Sequence, residues 1–77
     1  MIKRLLELLD IASAPYSHFK VAAIVVDTHG KQYEGVNVES AAYGATLCAE
    51  RNAISAAITS GMKSGEVAEV HIIARNE

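Results

Sequence analysis

Apolar residues Ile2, Leu5, Leu6, Leu9 and Ala12 recur at helical spacing, with Lys3, Arg4, Glu7 and Asp10 on other faces. The pattern predicts an amphipathic first helix, and Pro15, which cannot continue a helix, marks its end. Residues 20–26, Lys-Val-Ala-Ala-Ile-Val-Val, apolar without a break from Val21, read as a strand buried on both faces. Asp27-Thr28-His29-Gly30 is a turn cluster in which Gly30 suits a positive φ angle. A second strand over residues 31 to about 38 then makes a β-hairpin with the first. Gly35 interrupts its alternation, which predicts a bulge or a close backbone approach. Residues 40–45 are small and irregular. Helical spacing resumes with Leu47, Ile54, Ala57 and Ile58 on one stripe, and this second helix stops near Ser60 with Gly61 as its C-cap. Residues 67–74 read as a third strand. The order helix, strand, strand, helix, strand predicts an α/β chain with one sheet face or edge undersupplied.

Composition narrows the possibilities. Seventy-seven residues make one small domain, and chains of this size usually lean on a metal, disulfides or partner subunits. The single cysteine, Cys48, excludes an intramolecular disulfide. An apolar content of 51% supports a packed core, and the net charge of -2 with scattered Lys and Arg offers no footprint for nucleic acid. The amino terminus is broken by Glu7 and Asp10 and does not read as a signal peptide; no stretch reaches membrane-span length. A reduced, cytoplasmic protein that handles a small molecule is the expectation.

The chemistry concentrates in Thr46-Leu47-Cys48-Ala49-Glu50-Arg51-Asn52-Ala53, at the predicted start of the second helix. Unpaired N–H groups and the helix dipole there favour a thiolate, the form that binds zinc. Glu50, about 200° around the helix from Cys48, can stand beside a metal without being its ligand, where a proton carrier belongs. Cys-x-Glu alone fits equally a structural cysteine and a glutamate favoured by the dipole.

Three segments change that balance. Ala14-Pro15-Tyr16-Ser17-His18-Phe19-Lys20-Val21-Ala22-Ala23, Gly35-Val36-Asn37-Val38-Glu39-Ser40-Ala41-Ala42-Tyr43-Gly44 and Cys48-Ala49-Glu50-Arg51-Asn52-Ala53 together closely resemble the small zinc-dependent nucleoside cytidine deaminases. The resemblance runs in order over almost the whole chain. It implies a three-layer α/β/α fold, of which residues 1–77 supply the amino-terminal part of a single domain. It also implies zinc held by Cys48 and two further thiolates, with Glu50 carrying protons during hydrolytic deamination of cytidine or deoxycytidine in pyrimidine salvage. Phe19 would pack against the pyrimidine, Asn37 and Glu39 would hold the ribose, and the Ala49 backbone would fix the polar edge of the base. Arg51 would draw charge from the thiolates, and Tyr43 would approach the site of a neighbouring subunit in a homo-oligomer, commonly a tetramer. Packing alternatives stand beside Phe19 and Tyr43. The histidines His18, His29 and His71 are expected to be structural or solvated.

Two departures from the family pattern stand out. Ala22 occupies a position where glycine is common, and no Pro-Cys-x-x-Cys follows Glu50 in residues 51–77. One thiolate does not close a catalytic zinc site, which usually takes three protein ligands. The competing expectation is a non-catalytic module that assembles through its hairpin and helix. A nucleic-acid-editing deaminase fits less well with the Asn37–Glu39 pair and the absent basic surface, and the blasticidin-type deaminases match the flanking segments more poorly.

Overall fold

The computed structural model describes residues 1–15, 18–40, 45–47 and 49–76. Helix α1 (Ile2–Ile11) is followed by β1 (Phe19–Asp27), β2 (Gln32–Val36), β3 (Val38–Ser40), β4 (Ala45–Leu47), α2 (Ala49–Thr59) and β5 (Val67–Asn76), with a 3-10 turn at Ser64–Glu66. Strands β2, β1 and β5 form a three-stranded sheet in that order, with β1 antiparallel to both neighbours. Alternation along β1 sends Ala22 and Ile24 to one face, against Leu5, Leu8 and Leu9 of α1. Ala23 and Val25 point to the other face, where they meet Tyr33 and Ala49, Ala53 and Ala57 of α2. The sheet is thus the middle of an α/β/α sandwich, as the resemblance implies; the undersupplied face that the element order suggested is not seen, since α1 covers one face and α2 the other.

The α1 stripe differs in detail from the expectation. Leu5, Leu8, Leu9 and Ala12 are buried, whereas Ile2 and Leu6 are 66% and 46% exposed. Positions 5, 8, 9 and 12 share one flank of the helix and residue 6 turns away from it, whereas Ile2, on the same stripe as Leu9, is exposed as the first residue of the helix. Arg4 reaches from α1 to β2, where its guanidinium donates to Glu34 through Nε and, at 2.8 Å, through Nη2.

Helix α2 requires a larger correction. Its buried residues are Ala49, Ala53 and Ala57, while Ile54 and Ile58 of the expected stripe are exposed. Leu47 belongs to β4, paired with Val38 of β3, and not to the helix. The reason is the spacing between helix and sheet: Gly35 brings the β2 backbone against Ala49 and Ala53, so only methyl groups fit between. Gly35 is therefore the close approach that its interruption of the strand pattern foretold.

Both turn predictions hold. Gly30 has φ +83° and Gly61 has φ +109°. After α2 the Gly61 N–H donates to Ile58 O at 3.0 Å and the Met62 N–H to Ala57 O at 2.9 Å, a Schellman ending with Met62 packed beneath it. At the hairpin, the buried Asp27 carboxylate accepts from His29 N–H at 2.8 Å, Lys31 N–H at 2.9 Å and Tyr33 O–H at 3.0 Å. No described helix is long and apolar enough to cross a membrane.

Candidate active site

The expected second strand divides at Asn37, and that division builds the site. Asn37 is 6% exposed. Its backbone N–H donates to Val21 O at 3.0 Å, continuing the β2–β1 ladder. Its side chain then takes over the ladder: Oδ1 accepts from Val21 N–H at 2.9 Å and Nδ2 donates to Phe19 O at 2.7 Å. The Asn37 carbonyl is thereby left to turn outward and accept from Ser13 N–H at 3.1 Å, while Glu39 N–H donates to Ser13 O at 2.9 Å. A short parallel bridge, Ser13 to Val38, results. An amide side chain can do this because it carries one donor and one acceptor at peptide-like spacing.

Phe19 begins β1 with its backbone pinned by Asn37 and its side chain 46% exposed. Within residues 1–77 this leaves a flat aromatic surface at the sheet end. His18 immediately before it has φ +58°, in the left-handed region that non-glycine residues seldom adopt, and its N–H donates to Ala14 O at 3.0 Å.

Glu39 in β3 lies opposite Thr46 in β4, so this small hairpin carries the chain from the Asn37 segment to α2. Ala49 is 1% exposed and packs beneath the sheet. Glu50 follows, half-buried in the first turn of α2, and Arg51 is exposed. Cys48 and Tyr43, expected as zinc ligand and inter-subunit residue, lie outside the described residues. The geometry thus brings Phe19, Asn37 and the helix turn bearing Glu50 to one end of the sheet.

One residue of this end had no role in the sequence reading. Asn52 Nδ2 donates to Val36 O at 2.6 Å, joining α2 to the last residue of β2. Asparagine competes with the backbone for hydrogen bonds and is a poor choice inside a helix. That mismatch of residue type and element was the available signal.

Comparison with known proteins agrees with this architecture. Residues 1–74 match the family model for the cytidine and deoxycytidylate deaminase zinc-binding region. A cytidine deaminase of Mycoplasma genitalium is 35% identical over 77 residues, 100% of this chain and 58% of that protein. A probable cytidine deaminase of Dictyostelium discoideum is 49% identical over 53 residues, 69% of this chain and 36% of that one. The crystal structure of cytidine deaminase from Burkholderia pseudomallei superposes with a TM-score of 0.86 at 41% identity, covering 95% of this chain and 57% of that one. The chain belongs to the cytidine and deoxycytidylate deaminase family, and it spans little more than half the length of the relatives it matches end to end.

The metal question is answered in part by the donors present. Among the described residues no group of three His, Cys, Asp or Glu side chains stands together as a metal site. His29 Nε2 lies 3.1 Å from Glu66 Oε2, and His71 Nε2 lies 2.8 Å from Glu69 Oε1, away from Glu50 in sequence and strand position.

Proposed function

We propose that this chain is the amino-terminal part of a single cytidine deaminase domain. The domain deaminates cytidine or deoxycytidine hydrolytically to uridine or deoxyuridine plus ammonia, in pyrimidine salvage in the cytoplasm. The observation that carries the reading is that the buried Asn37 amide binds Phe19 O, whose ring is exposed, while Gly35 and the Asn52–Val36 bond hold the first turn of α2, which bears Glu50, against the adjoining end of β2.

In this reading the Phe19 ring packs on the pyrimidine, and Glu39 with Asn37 faces the ribose. The Asn37 amide keeps one N–H and one lone pair beyond those given to β1, enough for one sugar hydroxyl. Water adds to C4 of the base and ammonia departs; Glu50 takes the proton of the attacking water, passes it to ring N3 and assists protonation of the leaving amine. Zinc, when bound by Cys48 together with donors outside residues 1–77, would supply a more acidic water at neutral pH. Arg51 would offset charge on the thiolates. Tyr43 would face a neighbouring subunit of a homotetramer.

A second reading, a non-catalytic assembly module, draws on the outer strand β5, where Val67, Val70 and Ile72 are exposed. Zinc content and ammonia release from cytidine, measured together on the protein at its native length, separate the two. The catalytic reading expects one zinc per domain and turnover that Glu50→Ala lowers by about 10²-fold or more. Full zinc loading without deamination, or deamination untouched by Glu50→Ala, would refute it.

A further inference from the structure

Helix α2 rests on the sheet through a stripe of methyl groups, Ala49, Ala53 and Ala57, against the bare backbone of Gly35. Such a surface fixes the distance between helix and sheet, but the helix presents only methyl groups to Val25 and Tyr33, which hold its rotation about its axis less firmly than large side chains would. At about 100° per residue, Glu50 and Asn52 fall on opposite flanks of that stripe. A small roll of the helix would therefore swing Glu50 towards or away from the sheet end. The Asn52 amide bond to Val36 O, at 2.6 Å, is the one side-chain hydrogen bond joining α2 to the sheet among the described residues. Its acceptor is the residue just before Asn37, whose own amide grips Phe19 O and Val21 N–H.

We propose that Asn52 is a positioning residue: by locking α2 to the Val36–Asn37 joint, it holds the Glu50 carboxylate at a fixed spacing from the Phe19 ring. The inference rests on the deaminase reading above and assigns a role to a residue that does not touch substrate. Asn37 ties the joint to β1 and Asn52 ties it to α2, so the two asparagines hold proton carrier and ring platform in one frame. Ground-state contacts with the nucleoside come from Phe19, Asn37 and Glu39, which stay in place when the lock opens. Loss of the lock falls on the chemical step.

Asn52→Asp tests this in the native-length protein. Aspartate keeps the shape, loses the donor, and as an acidic residue in a helix first turn favours the helix dipole, which counters any loss of stability. The expected result is a fall in kcat for cytidine of about 10- to 100-fold with KM within about twofold, since an ångström of misplacement suffices for such a loss. Asn52→Ser, a small neutral replacement, is expected to show the same split. In the unsubstituted protein one Asn52 side-chain amide proton is expected to be protected from exchange with solvent. Variants that lower only thermal stability and leave kcat unchanged, or a freely exchanging Asn52 amide, would overturn the positioning role alone. An unsubstituted protein that does not deaminate cytidine would overturn the functional reading and this role with it.

Discussion

Gly35 of β2 lies directly against Ala53 of α2: a Cβ at Gly35 would stand 2.9 Å from Ala53 Cα and closer still to Ala53 N and Ala49 O. The obstacle is helix backbone and cannot rotate aside. Gly35→Ala is therefore expected to push α2 off the sheet and to cost about 1–3 kcal/mol, as overpacking does. The midpoint of urea unfolding measures it, and a variant as stable as the parent would contradict the contact.

The alanine stripe makes a paired prediction. Ala57 is fully buried and Ile58 is 45% exposed. Ala57→Leu should destabilise by about 1–3 kcal/mol, while Ile58→Gln should change stability by about 0.5 kcal/mol or less. The reverse order in thermal unfolding would restore the isoleucine stripe that periodicity suggested.

Asn37 replaces the backbone at the end of the β2–β1 ladder, so its removal leaves Val21 N–H and Phe19 C=O without their partner. Asn37→Ala is expected to cost about 1–3 kcal/mol and to speed amide exchange at Val21. Unaltered protection of the Val21 amide would show that the side chain does not hold the strand.

Three carboxyl groups tie stability to pH. Burial alone would raise the Asp27 carboxyl, but hydrogen bonds from Lys31 N–H, Tyr33 O–H and His29 N–H outweigh it and hold it low. The bond from the Arg4 guanidinium lowers Glu34. The Lys63 N–H and the His29 ring lower Glu66. Each group is more acidic in the folded state than in the unfolded chain, so the unfolded chain binds more protons on acidification. Their stabilisation is complete above the ordinary carboxylate range, about pH 4, and is lost as pH falls through the depressed values. Unfolding midpoints should drop steeply below about pH 4, less so in Asp27→Asn. A midpoint independent of pH in that range would refute the coupling.

Elements that local chemistry controls could be read directly from the residues. The apolar run of β1 and the turn at Gly30 were legible because strand burial and positive φ select residue types directly. Gly61 marked the end of α2 for the same reason. The family was legible too, because three segments keep their residues and spacing in order. Which faces meet depended on the assembled fold. Periodicity placed Ile54 and Ile58 inside together with Ala57, since it weighs residues by size; the sheet kept Ala57 and added Ala49 and Ala53, because Gly35 leaves room only for methyl groups. The resemblance marked Asn37 for the ribose and gave Asn52 no role; their hold on the backbone appears only when their amides meet Phe19 O, Val21 N–H and Val36 O. Those partners lie 16 or 18 positions away in the chain, and no local pattern encodes a hydrogen bond whose two ends the fold brings together.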